Sequence, residues 1–189
     1  MMKIEYKLFL LPLLLALCHS CGVLSLMTCN YRIDNVSAPM LAGINVSNRN
    51  DLTHLDASTA LKVTSTLFSG SLPLSATVNI GVSNPNATAA QIAGLEWILF
   101  FEDVQMVTGA LQQQVYVAPN GGTSSIPLTI QADLVSLFKK ESLEKMLQFA
   151  NGLLHLGEKG VKVTLKIRPS IAVGGQVLQM GYITLNREI

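Results

Sequence analysis

The 189-residue sequence has little charge of either sign. Lysine and arginine together number 13, aspartate and glutamate number 12, and the formal net charge is +1. A protein that binds nucleic acid or another polyanion concentrates basic residues on one surface, and this composition gives no reason to expect that. We therefore predict no nucleic-acid partner.

Cysteine and histidine are also scarce, with three residues of each. A domain of this length buries enough apolar surface to need no disulfide framework. Cys29 has no CxxC partner, so no zinc signature is present. The glycine pairs at 121–122 and 174–175 lack the following Lys-Ser/Thr of a phosphate-binding loop and are predicted as hairpin turns. We predict neither a metal site nor a cofactor.

The one long hydrophobic run, residues 8–17, is too short for a transmembrane helix, which needs about 20 residues. Lys3 and Lys7 precede it, and Pro12 interrupts it. A basic segment followed by a short apolar segment is typical of a secretory signal. We assign residues 1–20 to a signal peptide.

The residues that follow decide where the protein is predicted to reside. Ser20-Cys21-Gly22 resembles the lipobox of bacterial lipoproteins, although Cys18 and His19 depart from its usual pattern. The resemblance implies cleavage before Cys21 and lipid attachment to its sulfur, which would anchor the chain in a bilayer. Residues 21–29 are then a lipidated N-terminus and short tether, and the domain faces the periplasm, with the outer membrane slightly favoured. The alternative is an ordinary signal peptide that leaves Cys21 as a thiol.

Lipidation of Cys21 would leave Cys29 as the one remaining cysteine of the mature chain. A single cysteine cannot form an internal disulfide. It is either a buried hydrophobic residue or an exposed reactive thiol.

What the sequence does have is a clear β pattern at residues 72–86. Apolar residues occupy every even position from Leu72 to Val82 and polar residues, proline or glycine every odd one, which predicts a strand with one buried face. Asn84-Pro85-Asn86 ends it, because Pro85 lacks a ladder donor and both asparagines favour turns.

With the further segments, the sequence predicts a total of about seven or eight short strands and two helices in one domain, residues 30–189. Strands or hairpins are expected in residues 30–48, 92–102, 112–118, 123–131, 161–167 and 176–187, with residues 103–109 continuing to a turn. Helices are expected at 51–68 and 133–154, although the last third of the first, residues 61–68, could also be a strand because of its Val and Thr content. We expect residues 92–102 to be a central strand covered on both faces, and Pro127 to restrict its strand to an edge-like or bulged position. The expected fold is mainly β, an immunoglobulin- or fibronectin III-like antiparallel β-sandwich with two accessory helices.

Several short motifs together resemble one family, the group 2 late embryogenesis abundant proteins with the water stress and hypersensitive response domain. They are Asn84-Pro85-Asn86, Ile98-Leu99-Phe100-Phe101, Val107-Thr108-Gly109, Ser125-Ile126-Pro127-Leu128 and Ala132-Asp133-Leu134. With the lipobox, the chain resembles the lipoprotein branch of this family in Bacteroidetes-type bacteria. The resemblance implies a fibronectin-like sandwich, no known catalysis, and a role in stress protection or in ligand or membrane association. It marks Asn84, Pro85, Asn86 and Gly109 as structural motif residues.

Candidate catalytic residues are few. Asp51, His54 and Ser58 lie on the first predicted helix, where such residues commonly form the solvent-exposed face. Glu96, Glu102 and Asp103 could pair for acid–base chemistry but have no basic or nucleophilic companion, so we interpret them as solvated. His155 lies in a helix-exit loop without a ligand-spaced neighbour. We predict no catalytic residues.

Three functional hypotheses follow from the sequence. The preferred one is a membrane-anchored, non-enzymatic envelope lipoprotein that binds an unidentified protein or lipid partner or protects against stress. The alternative is a carrier of a hydrophobic or lipid ligand, suggested by the 49% hydrophobic content. The third is an enzyme that uses Asp51 and His54. The fold cannot choose among them, because sandwiches host many functions.

Overall fold

The computed structural model describes residues 26, 28–48, 50–139, 141–156, 158, 160–173 and 175–185. The predicted signal peptide and Cys21 lie outside these ranges. The strands are β1 (Asn30–Leu41), β2 (Ile44–Asn45), β3 (Pro73–Asn84), β4 (Ala90–Ile92), β5 (Gly94–Phe101), β6 (Val104–Leu111), β7 (Val115–Val117), β8 (Gly122–Asp133), β9 (Val163–Val173), β10 (Gln176–Gln179) and β11 (Ile183–Leu185). The helices are α1 (Ala57–Phe68), α2 (Leu134–Phe138) and α3 (Leu143–Leu154).

The strands form two antiparallel sheets and a small ribbon. One sheet has the order β2-β1-β3-β8 and the other β10-β9-β5-β6, with β11 also pairing with β9. The ribbon consists of β4 and β7. The buried side chains of both sheets belong to one hydrophobic core. The predicted mainly-β class, an antiparallel sandwich with accessory helices, is confirmed.

Strand β3 is the centre of the first sheet, as its alternation predicts. It pairs with β1 on one side and with β8 on the other, in unbroken register from Pro73↔Asp133 to Asn84↔Gly122. The side chains at its even positions are buried, whereas most odd positions are partly exposed. Pro127 lies in β8, which is an edge strand, so its missing N–H costs no ladder bond on the free side.

The helix predicted at residues 51–68 starts later than expected. Helix α1 begins at Ala57, and Asp56 caps it by accepting a hydrogen bond from the Thr59 N–H at 3.0 Å. Asp51 instead accepts from Thr53 in a local turn, and the Leu52 N–H donates to the Asn151 side chain. The prediction was wrong there because a tertiary contact to α3 fixes this segment as a loop.

The helix predicted at residues 133–154 is two helices, so the described part of the domain contains three helices rather than two. Lys139 has φ +51°, which ends α2, and Ser142 caps α3 by accepting from the Lys145 N–H. Gly152 lies inside α3 with Val163 against it, and a Cβ at this position would come within 2.5 Å of Val163 Cγ2. Its role is close packing.

The segment after β5 also differs from the prediction. The β5–β6 turn is made by Glu102 and Asp103, both at positive φ, and the residues after it continue as strand β6. Gly109, expected near a turn, therefore lies within β6 opposite Trp97. Strand β5 is central, as predicted, but only alternate side chains are fully buried, so the expectation of two covered faces was wrong.

The predicted C-terminal hairpin and its turn are confirmed, but its second strand is divided into two strands, β10 and β11. Strands β9 and β10 pair across the predicted glycine turn, from Gln176↔Val173. The chain then leaves the ladder and returns as β11 opposite Leu165 to Ile167. The two pieces cover successive parts of the same edge of β9.

Helices α2 and α3 close one end of the sandwich through aromatic side chains. Phe101, at the end of β5, packs against Phe138 of α2 and Phe149 of α3, and the three rings form edge-to-face pairs with centroids 5.5–5.8 Å apart. We call this end, which also carries α1, the helical end.

Asp133 links β8 to the helical end and should make stability depend on pH. Its carboxylate accepts hydrogen bonds from the Ser71 hydroxyl and from the N–H groups of Leu72, Val135 and Ser136. These bonds, that from Ser71 first, lower the pKa of Asp133 below its usual value. The carboxylate therefore stabilises the fold above the unfolded-state pKa of about 4, and this contribution is lost as the pH falls through the folded-state pKa.

Because hydrogen bonds to a carboxylate are stronger than those to a neutral amide, we expect Asp133→Asn to be less stable than the native protein by about 1 kcal/mol at pH 7, with a smaller gap at pH 3. Urea unfolding midpoints at the two pH values measure this. An equal gap at both pH values would contradict the assignment, and Asp103→Asn, in an exposed turn, serves as the control.

Candidate functional site

The end of the sandwich opposite the helices is where the chain enters the first strand, and we call it the N-terminal end. Here Asn30 of β1 lies opposite Ser83, near the end of β3. The β4–β7 ribbon connects the two sheets at this end. The Asn84 side chain donates to the Val117 carbonyl, and the Ala93 N–H donates to the Ser170 carbonyl.

The segment before β1 is part of the domain. Leu26, which the sequence places in the tether, is 1% exposed and belongs to the core, and Cys29 is buried as well. The Thr28 hydroxyl donates to the Asn86 side-chain oxygen at 2.8 Å. The stretch between Cys21 and the packed domain is therefore shorter than predicted.

Burial decides between the two interpretations of Cys29. Its side chain is 8% exposed, and burial raises the pKa of the thiol above its usual value. A buried thiol with a raised pKa forms little thiolate at neutral pH, so the buried hydrophobic residue is the better description.

Asn84 organises the N-terminal end from a fully buried position. Its amide nitrogen donates to the carbonyls of Thr88 at 2.8 Å and Val117 at 3.3 Å. Its amide oxygen accepts from the backbone and side-chain nitrogens of Asn86, at 3.1 and 2.7 Å. One side chain thus closes the loop after β3 and holds it against β7.

The same loop is bound to the turn that precedes β8. The Gly121 N–H donates to the Asn84 carbonyl and the Asn120 N–H to the Asn86 carbonyl, both at 2.7 Å. Asn120 and Gly121 have φ of +57° and +85°, which asparagine and glycine adopt most readily. Residues 84–86 therefore connect four parts of the fold by hydrogen bonds: the C-terminal end of β3, the ribbon, the turn before β8 and the N-terminal segment.

Gly109, the other motif residue, lies in the second sheet and serves its packing. The indole of Trp97 lies directly on it, and a Cβ at position 109 would come within 2.2 Å of Trp97 Cζ2. Trp97 lies on the core face of β5 and is buried; the neighbours of β5 in the sheet are β6 and β9. Asn84, Asn86 and Gly109 thus make structural contacts at two separate places.

Several large apolar side chains are exposed at the N-terminal end. Val177 is 65% exposed and Leu178 46%, both in β10, and Tyr116 of β7 is 62% exposed. Val173, on the other side of the hairpin turn, is partly exposed as well. These residues carry no signal in the sequence, because alternation in short strands does not reveal which face remains uncovered.

Charge is absent from the segments that form this surface. Residues 63–95, 104–132 and 169–186 contain no Asp, Glu, Lys or Arg. The charged side chains closest to this end lie about two residues further along strands β1, β5 and β9, and they form ion pairs. Arg32 Nε is 2.8 Å from Asp34 Oδ1 in β1, and Arg168 of β9 donates to Glu96 of β5.

A groove of about 290 Å³ lies on the outer face of the first sheet near this end. Its lining includes the Arg32–Asp34 pair, with hydroxyl groups of Ser83, Thr123 and Ser125 around it. The Asp34 carboxylate lies against Gly81, where a Cβ would be 2.5 Å from Oδ1. The two charges neutralise each other, so the groove offers hydroxyl groups and a compensated ion pair.

The side chains considered for catalysis have other partners. His54 is exposed and lies 3.9 Å from Asp51, while the Ser58 hydroxyl donates to Asp56, so the structure does not assemble the trio. The pKa of Asp51 is lowered by its hydrogen bonds from Thr53.

The remaining acidic and histidine candidates also have local partners. Glu102 pairs with Lys162, which lowers the pKa of that carboxyl, and Glu96 binds Arg168. His155 lies between the Asn50 carbonyl and Glu158. Within the described ranges, no group of three or more His, Cys, Asp or Glu residues could hold a metal ion.

Comparisons with known proteins identify no family. No protein-family model matches the sequence, and no curated protein matches it at a significant level. Among solved structures, a protein from Archaeoglobus fulgidus is 14% identical with a TM-score of 0.37, and covers 62% of this chain and 87% of its own. A protein described as ApaA from Bordetella pertussis is 13% identical with a TM-score of 0.34, over 84% and 93% of the two chains.

A β-glucosidase from Erythrobacter marinus is 12% identical with a TM-score of 0.25, over 83% of this chain and 15% of its own. Likenesses at these scores carry no argument about function. Separately, none of the helices in the described part of the chain has the length and hydrophobicity that a bilayer crossing requires.

Proposed function

We propose that this protein is a lipid-anchored, non-enzymatic lipoprotein of the bacterial cell envelope, a binding or stress-protection module held at the membrane through Cys21. The observation that carries the proposal is the burial of Leu26 at the N-terminal end, five residues after the lipobox cysteine. A packed residue so close to the lipidation position suits a domain that is held against its membrane.

The spacing sets how near the membrane the domain would lie. Five extended residues span at most about 17 Å, so acyl chains on Cys21 would keep the N-terminal end of the sandwich within that distance of the headgroups. The outer membrane of a bacterium with two membranes remains the preferred site, facing the periplasm.

A binding or protective role is supported by the place of the motif residues. Asn84, Asn86 and Gly109 act in packing and hydrogen bonding, and the candidate catalytic side chains are engaged in local pairs. The resemblance to group 2 late embryogenesis abundant proteins implies structural roles for the motif residues. Membership in that family remains part of the proposal.

Metabolic labelling of the full-length protein with radioactive palmitate in a bacterial host tests the anchor. We expect label on the native protein and none on Cys21→Ser, because the acyl chains need that sulfur. Cys18→Ser and Cys29→Ser are the matched controls and should keep the label, since Cys18 leaves with the signal peptide and Cys29 is buried.

Label that persists in Cys21→Ser, or an unmodified N-terminal peptide by mass spectrometry, would contradict the anchor. In the native organism, deletion of the gene should lower survival of drying or osmotic shock, and the native chain should restore it better than Cys21→Ser does. Unchanged survival would contradict stress protection and leave the binding role.

A further inference from the structure

We propose that the N-terminal end of the sandwich is a membrane-contact surface, and that Tyr116, Val177 and Leu178 insert into the lipid–water interface. The inference deepens the proposed function and rests on it, since the lipid on Cys21 is what would bring this end to a bilayer. In this proposal, the exposed apolar side chains at this end contact lipid.

The apolar groups come from two places in the fold that meet at one end. Val177 and Leu178 lie just beyond the β9–β10 turn, which extends past the first residue of β5. Tyr116 lies in the β4–β7 ribbon, beside the start of β8, where the Ser124 hydroxyl donates to its carbonyl. Aliphatic side chains and a tyrosine exposed at the same end of a domain are the combination that membrane interfaces favour.

The lack of charge makes this surface suited to lipid. Moving an unpaired charge toward the acyl region is costly, whereas amide and hydroxyl groups are tolerated at headgroup depth. Residues 104–132 and 169–186, which form the ribbon strand β7, the start of β8 and the hairpin, contain no charged side chain. The nearest charges, Arg32–Asp34 and Glu96–Arg168, are paired and lie further along the strands.

The position of the tether explains why the N-terminal end, and not the helical end, would face the membrane. Leu26 is packed at the N-terminal end, and the Thr28 hydroxyl binds Asn86 there. The twelve residues of β3 extend about 40 Å, so the helical end lies well beyond the reach of a five-residue tether. The helical end also carries most of the domain's charge, including Lys62, Glu102 and Asp133.

The helical end offers a matched control. Phe68 of α1 is 87% exposed and Leu61 is 74% exposed, so this end also displays large apolar side chains. If exposure alone led to lipid contact, these residues would insert as readily as Tyr116 and Val177. The proposal predicts that they do not.

The test uses the full-length protein, isolated from bacterial membranes and reconstituted into phosphatidylcholine vesicles with brominated acyl chains. Tyr116→Trp and Val177→Trp are the reporters and Phe68→Trp is the control; all three positions are exposed, so tryptophan should be accepted. Trp97, the one native tryptophan, is buried and gives a constant background. Bromine quenches indole that reaches the acyl boundary, about 5–10 Å into the interface.

We expect brominated lipid to remove about half of the added fluorescence of the two reporters and little of that of Phe68→Trp. Adding Leu178→Asp to the Tyr116→Trp chain should reduce the quenching, with circular dichroism confirming an unchanged fold. Equal quenching at all three positions, or none at Tyr116 and Val177, would overturn the inference.

The mass of the N-terminal peptide, measured on the same sample, separates the two proposals. A lipidated Cys21 with unquenched reporters would overturn the membrane-contact surface and leave the anchor. An unmodified Cys21 would overturn the anchor. In that case, quenched reporters would still support the membrane-contact surface, whereas unquenched reporters would overturn the surface as well as the anchor.

Discussion

Replacing Asn84 by alanine should lower the free energy of unfolding by about 3 kcal/mol, the largest effect expected of any substitution considered for this protein. The side chain is fully buried, and its removal leaves the carbonyls of Thr88 and Val117 without their amide donor. Asn86 loses the acceptor for two of its own N–H groups. Buried groups that lose a partner pay their full desolvation cost, which is why the sum is large.

Urea denaturation followed by circular dichroism measures the change. The matched control is Asn79→Ala, an asparagine of the same strand whose side chain donates to Asn35 and Ser37 on the outer face. Its loss should cost within about 1 kcal/mol, because water can replace the bonds. Equal costs for the two variants would show that Asn84 has no special structural role.

Gly109→Ala is expected to cost about 2 kcal/mol, because the new methyl group and the Trp97 indole cannot occupy the same space. The gap between the Cβ position and Trp97 Cζ2 is only 2.2 Å, and the ring is held in the core. Either the ring leaves its place or β6 moves away from β5. Since Trp97 is the one tryptophan of the chain, its fluorescence maximum should shift to longer wavelength.

Two further variants test that explanation. Gly181→Ala is the control, since nothing lies within 4 Å of a Cβ there, and its stability should stay within about 0.5 kcal/mol of the native value. In a double-mutant cycle, Trp97→Leu with Gly109→Ala should cost less than the sum of the two single changes, because the smaller side chain makes room. Additive costs would contradict the steric account.

The strands were largely predictable from local pattern. In β3 the sheet buries alternate side chains, so a period of two in the sequence translates directly into one inward face. The turns at Asn120–Gly121 and at Gly175 were predictable because glycine and asparagine tolerate positive φ. The division of the last strand into β10 and β11 has no comparable signal, since both pieces have similar composition.

The helices were less predictable, because their limits depend on contacts distant in sequence. Asn50 and Asp51 are acceptable caps, but α3 supplies the Asn151 side chain that binds the Leu52 N–H and keeps that segment in a loop. The break between α2 and α3 lets Phe138 and Phe149 both reach Phe101. Propensity yields to packing at such places.

By itself, the sequence determined the β class, the central strand, the motif at residues 84–86 and the lack of charge in three long segments. Each of these depends only on residues that are close together along the chain. Only the tertiary structure decided that parts of those segments meet at the N-terminal end, that Leu26 packs there, and that Tyr116, Val177 and Leu178 remain exposed at this end. Which surfaces meet, and which stay uncovered, depends on pairing between strands that are far apart along the chain.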